Sequence, residues 1–183
     1  MNYLGTNTIE TKRLILRQFK KTDYKDVFNN YANDQEVTKF LTRYPHKDLE
    51  ASKEFIDNVA SIYGNKTFRW AIVDKETNEV IGSIDIVRLN EEYSTGEIGY
   101  VMSKKYWNKG IMSEALKAII DYLFLDVDLK VLIIRFDERN VGSRRVSEKA
   151  GFKVYNSEYR ICKECEVNIV YSELKKSDYL LKI

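Results

Sequence analysis

The chain has 183 residues, of which 44% are hydrophobic and 32% are charged. This composition is typical of a globular protein and excludes a disordered or fibrous chain. Thirty Lys and Arg residues against 28 Asp and Glu residues leave a net charge of +2, so nucleic-acid binding has no compositional support. No internal repeat or linker interrupts the sequence, and its length predicts a single domain over residues 1–183.

Membrane insertion is not expected from the sequence. No apolar run approaches the roughly 20 residues that span a bilayer. The start Met1-Asn2-Tyr3 lacks the charged and apolar regions of a secretory signal peptide. We therefore expect a cytoplasmic protein without a membrane partner.

The first half of the chain predicts a strand, two helices and a strand meander. Charged and apolar side chains alternate over 13–19 as in a half-buried strand, and Thr22 and Asp23 can cap a helix after it. Asp48 can cap a second helix that ends before Gly64. Three strands joined by polar turns follow, at 68–73, 80–88 and 96–102.

The second half predicts a parallel strand pair and a closing hairpin. Helical spacing over 112–125 precedes an apolar run at 131–136, which is typical of a strand covered on both faces. Strand, crossover helix and strand together predict a right-handed parallel βαβ unit. A short helix at 140–150 and a hairpin of 152–161 with 166–174 complete a mixed α/β sheet of about seven strands.

The most informative stretch is 98–115, IGYVMSKKYWNKGIMSEA, in which a buried strand turns through a polar bend into a helix. Gly110 gives the bend access to the positive φ that a tight phosphate-wrapping turn needs. The first N–H groups of a helix lack internal partners, and the macrodipole adds about half a positive charge there. The stretch therefore predicts a site for a diphosphate held mainly by main chain.

Four segments in this order resemble the GNAT superfamily of acyl-CoA-dependent N-acetyltransferases, and within it the RimJ/RimL-like branch of protein N-terminal acetyltransferases. They are TKRLILR at 11–17, EIGY at 97–100, YWNKGIMSEA at 106–115, and NVGS through EKAGF at 140–152. The resemblance implies a mixed, mainly antiparallel sheet that splays at its central parallel pair, with four main helices.

The resemblance also implies acetyl-CoA as co-substrate. Main-chain groups of Val101, Met102 and Ser103 would contact pantetheine, and Asn140 would contact the cofactor unless it only caps a helix. Lys149 would approach a phosphate, although exposed helix lysines are common. The pyrophosphate would be surrounded by Asn108, Lys109, Gly110, Ile111, Met112 and Ser113. The family usually has a small residue where this chain has Met112.

Two side chains are implied in catalysis. Glu97, which opens the family-like central strand, is the predicted general base, and the alternative is a surface glutamate. Ser143 would donate a hydrogen bond to the departing thiolate, unless it only satisfies the helix N-terminus. Many relatives place a tyrosine as general acid where this chain has Ser147, so the acid is Ser143 or water, or none is needed.

The small free-energy cost of deprotonating an α-amine favours it as the acceptor. Its pKa of about 7.7 to 8.0 leaves roughly a tenth neutral at pH 7, so a general base recovers only about 1 kcal/mol. We expect direct transfer in a ternary complex to a primary amine, first of all the N-terminal amine of a protein or peptide. The alternatives are a polyamine or aminoglycoside acetyltransferase, and a non-catalytic acyl-CoA-binding module. Dimers are frequent among proteins that resemble this one.

Side chains between the first two helices are predicted to wall the substrate site. Related enzymes place substrate-recognition residues in this loop, and here they would be Phe40, Arg43, Tyr44 and His46 around Pro45, unless these are ordinary loop aromatics and charges. Trp70 would line the same cleft unless it belongs to the core. No metal is expected, since Cys162 and Cys165 have CxxC spacing but a structural zinc needs four ligands. The pair brackets a predicted hairpin turn, where we expect free thiols or adventitious oxidation.

Overall fold

The computed structural model describes residues 1–181. Its eight strands are β1 (Ile9–Glu10), β2 (Leu14–Arg17), β3 (Arg69–Asp74), β4 (Val80–Asn90), β5 (Thr95–Met102), β6 (Val131–Asp137), β7 (Lys153–Cys162) and β8 (Cys165–Lys175). They form one sheet in the order β1-β2-β3-β4-β5-β6-β8-β7. The predicted mixed sheet is confirmed with one strand more than expected, because the two-residue β1 is too short to show a period.

Six α-helices accompany the sheet: α1 (Tyr24–Val27), α2 (Gln35–Thr38), α3 (Leu49–Ser61), α4 (Ile111–Asp121), α5 (Val141–Lys149) and α6 (Lys176–Leu180). A 3-10 turn at Lys21–Asp23 precedes α1, and π-helical turns follow α1 at Phe28–Ala32 and α4 at Tyr122–Asp126. Asp48 caps α3 as predicted, since its carboxylate accepts from Ala51 N at 2.8 Å. Among residues 1–181, no helix combines the length and apolarity required to cross a membrane.

The predicted parallel pair is confirmed. The register of β5 with β6 runs from Thr95 opposite Val131 to Ile98 opposite Ile134, whereas β5 itself extends to Met102 and β6 to Asp137. Antiparallel pairing joins β1 to β2, β2 to β3, β3 to β4, β6 to β8 and β7 to β8.

The predicted burial of β6 on both faces is wrong. Leu132, Ile134 and Phe136 are at most 5% exposed, but the residues between them are only partly buried. One of these is Arg135, which pairs with a carboxylate on that face. The face is therefore polar along part of its length, although the sequence of the strand is almost entirely apolar.

The chain groups into two compact units. The N-terminal unit comprises Tyr3–Asp85 and Tyr100–Ala118, and the C-terminal unit comprises Met1–Asn2, Ile86–Gly99 and the residues from Ile119 onward. A core cluster in the N-terminal unit joins the helical segments to β3 and β4 through Val27, Tyr31, Ile56, Val59, Ala71, Val73 and Val80. Buried residues of the C-terminal unit include Leu123, Phe124, Leu132 and Leu174. A single functional domain over 1–183 stays a prediction.

Candidate functional site

The bend between β5 and α4 contains two residues with left-handed backbone. Gly110 has φ +72° as the sequence predicts, and Asn108 has φ +58°, which Asn tolerates better than most residues. Glu114 N donates to Gly110 O at 3.1 Å, so the first intrahelical bond of α4 begins at Gly110. The N–H groups of Ile111, Met112 and Ser113 precede that donor and point out of the helix end.

Two residues from the segment between β1 and β2 brace this bend. Glu114, in the first turn of α4, accepts from Thr11 Oγ1 at 2.6 Å, from Arg13 N at 2.9 Å and from Arg13 Nε at 2.7 Å. Arg13 Nη1 also donates to Lys109 O at 3.0 Å. Burial acts to raise the pKa of Glu114, but the bonds from Thr11 and Arg13 outweigh it and lower that pKa. The bend is thus fixed from both ends, and the Glu114 charge is matched by Arg13.

The bend offers space and donors to an anion. A Cβ added at Gly110 would meet Arg13 Nη2 at 3.8 Å and nothing nearer, so the backbone there is open to approach. Asn108 and Lys109 are exposed. Ile111 and Met112 are each 5% exposed, so their side chains lie in the core. Only their backbone N–H groups are therefore available to an anion at the bend. These residues fit a diphosphate held by main chain.

The end of β5 is anchored within the N-terminal unit. Ser103 N donates to Ile81 O at 2.8 Å, and the Trp107 indole Nε1 donates to Met102 O at 2.9 Å. A Cβ added at Gly82 would lie 2.4 Å from Val101 O, so β4 runs tight against this end of the strand. The predicted contacts of Val101, Met102 and Ser103 with pantetheine therefore start from a rigid main chain.

Glu97 forms an ion pair within the C-terminal unit. Arg135 Nε donates to Glu97 Oε1 at 2.7 Å, and Arg88 Nη1 lies 3.8 Å from Oε2. The Glu97 side chain is 11% exposed, so the alternative of an exposed surface glutamate is wrong. The Arg135 guanidinium also lies 5.8 Å from the ring centroid of Tyr171. The predicted base is thus a nearly buried carboxylate held by a guanidinium.

The start of α5 holds the other predicted groups. Asn140 caps the helix, because its Oδ1 accepts from Ser143 N at 3.0 Å. Ser147 is 1% exposed, and its Oγ lies 2.8 Å from the Oγ of Ser172. Ser147 is therefore a buried structural hydroxyl, and Lys149 is exposed. The roles of Asn140, Ser143 and Lys149 toward the cofactor stay predictions.

The three predicted substrate-wall residues have different environments. Tyr44 is 63% exposed and Trp70 is fully buried, while Phe40 is partly buried. The Trp70 indole Nε1 donates to Asn7 O at 2.7 Å, which is the core role weighed against substrate contact. Tyr44 and Phe40 keep surface that a substrate can reach.

The cysteine pair lies at the predicted hairpin turn. Cys162 and Cys165 are register partners across Lys163 and Glu164, both of which have positive φ. Both cysteines are free thiols. Residues 1–181 contain no group of three or more His, Cys, Asp or Glu side chains arranged to hold a metal ion.

Comparison with known proteins identifies the family. The family model described as an acetyltransferase (GNAT) domain matches residues 13–153. An uncharacterized N-acetyltransferase p20 from Bacillus licheniformis is 31% identical over 94% of this chain and 98% of its own length. The solved structure of a GNAT-family acetyltransferase from Bacillus anthracis is similar with a TM-score of 0.83 and 25% identity, over 93% of this chain and 99% of that one.

Two further similar proteins have names that specify a substrate. A spermidine N(1)-acetyltransferase from Escherichia coli K12 is 25% identical over 76% of this chain and 72% of its own length. The structure of a ribosomal-protein-S5-alanine acetyltransferase from Vibrio fischeri matches with a TM-score of 0.81 and 20% identity, over 94% of this chain and 98% of that one. The second likeness shows the fold alone.

Proposed function

This chain belongs to the GNAT acetyltransferase family, and we propose that it transfers acetyl from acetyl-CoA to a primary amine, first of all the N-terminal amine of a protein or peptide. The observation that carries the proposal is the bend before α4. Its two left-handed residues, Asn108 and Gly110, precede the N–H groups of an 11-residue helix. The anchoring by Arg13 and Glu114 holds those donors in place before a ligand binds.

The residues of the bend would hold the pyrophosphate of coenzyme A. Backbone N–H groups of Lys109, Gly110, Ile111, Met112 and Ser113 supply donors, with the side chain of Asn108 beside them. Val101, Met102 and Ser103 supply main-chain groups to pantetheine, and Asn140 and Lys149 are proposed as further contacts. When bound, the thioester supplies the acetyl group.

The proposed chemistry is direct transfer in a ternary complex, without an acetylated enzyme. Positioning the amine against the thioester carbonyl carbon makes the largest contribution to the rate, because correct positioning can lower the barrier by several kcal/mol. Glu97 would accept the amine proton directly or through water. Ser143 would donate a hydrogen bond to the leaving sulfur. No metal takes part in this scheme.

The acceptor class rests on the amine pKa and on the resemblance to the RimJ/RimL-like branch. The likeness to a structure named as a ribosomal-protein-S5-alanine acetyltransferase is in keeping with it. A polyamine is the second candidate, favoured by the relative named as a spermidine N(1)-acetyltransferase. A non-catalytic acyl-CoA-binding module is the third reading.

One assay separates these readings. The purified chain is incubated with acetyl-CoA and, in parallel, N-terminal peptides, spermidine or an aminoglycoside, and free thiol is measured together with the acceptor mass. We expect thiol release matched by acetylation of peptide N-termini, with lower kcat/KM for spermidine. Faster acetylation of spermidine would replace the first acceptor by the second. Thermal stabilisation by acetyl-CoA without thiol release from any amine would overturn the enzymatic proposal.

A further inference from the structure

Five polar side chains of the N-terminal unit lie near enough to interact with one another. Arg69 and Asp85 are register partners on β3 and β4, and Arg69 donates to Asp85 Oδ2 from Nη2 at 2.8 Å and from Nε at 3.1 Å. We call this set the polar cluster, and its members are Tyr31, Arg43, Arg69, Ser83 and Asp85.

Two atoms of the polar cluster are buried without a hydrogen bond of good geometry. Within residues 1–181, Arg43 Nη1 has no hydrogen-bond partner, and the Tyr31 hydroxyl has only a weak interaction with the side chain of Ser83. Tyr31 is only 1% exposed. A buried donor without a partner has lost its hydrogen bonds to water without replacing them, so such atoms are rare. Two of them in one cluster indicate a ligand group that accepts from both.

The charges of the polar cluster define the chemistry of that ligand. Two guanidinium groups face one carboxylate. Asp85 is hydrogen-bonded to Arg69 and acts on Arg43 only through its charge, which leaves the polar cluster with one positive charge in excess. Burial is the main cause that lowers the pKa of Arg43. Burial also raises the pKa of Tyr31, so its hydroxyl keeps its proton and acts as a donor. His46 nearby has its pKa lowered by burial and by Arg43 and adds no charge at neutral pH.

We propose that the polar cluster binds a carboxylate carried by the acceptor, with Arg43 Nη1 and the Tyr31 hydroxyl as its donors. A guanidinium fork and a phenol match the planar shape of a carboxylate. The acceptor is the natural source, because Val101, proposed above to contact pantetheine, packs on the same core cluster as Tyr31. A polycationic acceptor does not suit a site with more guanidinium than carboxylate groups. This inference rests on the proposed function and specifies its substrate.

Kinetics on matched acid and amide acceptors test the proposal. The pairs are a free amino acid with its amide, and the tripeptide amides Ser-Asp-Gly and Ser-Asn-Gly. In at least one pair we expect the acid to have a kcat/KM at least tenfold above the amide. R43Q should abolish that preference through KM, and R43K should restore part of it. Equal rates in both pairs, or a preference that survives in R43Q, would overturn the proposal.

The variant Y31F separates binding from stability. The Tyr31 hydroxyl makes no hydrogen bond of good geometry within residues 1–181, so its removal should leave the melting temperature unchanged or raise it while KM for the acid acceptor rises at least threefold. Tyr63 is the matched control, because its hydroxyl accepts from Phe19 N at 2.9 Å and donates to Arg69 O at 3.0 Å. Y63F should therefore lower the melting temperature. A fall in Y31F equal to that in Y63F would overturn the inference.

A third measurement needs no turnover. Succinate at millimolar concentration should raise the melting temperature of the wild type but not of R43Q. Inorganic phosphate should act on both proteins alike through the bend at Gly110. Stabilisation by phosphate that depends on Arg43, without an effect of succinate, would assign the polar cluster to a free phosphate and overturn the acceptor carboxylate. Absence of thiol release from every amine would contradict the proposed function, and the succinate result would still decide on the cluster.

Discussion

Arg13 and Glu114 join the residue that precedes β2 to the first turn of α4 across 101 residues of sequence, with Arg13 Nε 2.7 Å from Glu114 Oε2. The Glu114 carboxylate is favoured at a helix N-terminus by the macrodipole, yet alone it would repel a phosphate bound there. Arg13 removes that conflict, because its guanidinium balances the carboxylate and holds Lys109 O. The pair therefore prepares the bend for an anion.

Arg13→Gln should raise KM for acetyl-CoA about tenfold, which corresponds to roughly 1.4 kcal/mol of binding, while kcat stays within about twofold. The reason is that the bend loses its brace but keeps its backbone donors. Steady-state kinetics with varied acetyl-CoA measure this. Arg160→Gln is the matched control, because it removes an Arg–Glu pair on β7 without touching the bend. Equal effects of the two variants would refute the role of Arg13.

Glu114→Gln should lower stability in a pH-dependent way. The folded-state pKa of Glu114 is depressed, so the carboxylate stabilises the fold above its ordinary pKa of about 4.3. That contribution is lost as pH falls through the lowered pKa of the folded state. We expect a cost of about 1 to 2 kcal/mol at pH 7 after screening, shrinking below pH 4.

Thermal unfolding from pH 7 to pH 3 measures the difference between wild type and E114Q. Glu50→Gln is the control, since the Glu50 side chain is 66% exposed and pairs with Lys53 at 3.2 Å at the surface. A difference for E114Q that stays constant with pH would contradict the assignment.

Local sequence pattern is sufficient to predict features that are formed by residues close together in the chain. The Gly110 bend could be predicted because a strand, a polar turn with glycine and a helical period follow one another along the chain. The cap at Asp48 was predictable for the same reason. Ion pairs such as Arg13 with Glu114, or Arg135 with Glu97, could not be predicted, because each joins residues 38 or more apart in sequence. Hydrophobic periodicity does not indicate which distant residue pairs with a charged side chain.

The polar cluster was missed for a related reason. The sequence predicts Arg43 only as a loop side chain near the substrate, and it does not mark the Tyr31 hydroxyl as part of a site. Burial of their polar atoms without partners is a property of packing, which the sequence does not display. The same limit led to the wrong expectation for β6, whose apolar run hides the polar side occupied by Arg135.

Gly110→Ala should destabilise the protein by about 1 to 2 kcal/mol, because an alanine at φ +72° adopts a left-handed conformation. KM for acetyl-CoA should rise as well, since the backbone donors shift. Gly64→Ala is the matched control: a Cβ there meets nothing within 4 Å and the residue has no left-handed φ. We expect the control to be neutral or slightly more stable. Calorimetric binding of coenzyme A and thermal unfolding of both variants check this, and equal behaviour would refute the special geometry of the bend.

Ser143→Ala and Ser147→Ala remove the same hydroxyl from two sites of α5 with opposite expected effects. Ser147 Oγ is bonded to Ser172 in a buried site, so S147A should cost about 1 kcal/mol of stability with kcat almost unchanged. If Ser143 assists the leaving thiolate, S143A should lower kcat by about tenfold or more with little change in melting temperature. Loss of kcat in S147A alone would reverse the two assignments.

Glu97→Gln tests the predicted base through its pH dependence. An α-amine with a pKa of about 7.7 to 8.0 is about half to two-thirds neutral at pH 8, so the loss in kcat/KM should be less than about tenfold there. The loss should grow toward pH 6, because the base acts on the protonated amine and that fraction increases.

The substitution also breaks the ion pair with Arg135, which by itself lowers stability at any pH. Arg135→Lys is therefore measured beside it, since it weakens the pair while keeping the Glu97 carboxylate. A melting temperature lowered in both variants, with a pH-dependent loss of kcat/KM in E97Q alone, assigns proton transfer to Glu97. A loss in E97Q that is the same at pH 6 and pH 8 would instead make Glu97 a positioning residue that acts through Arg135.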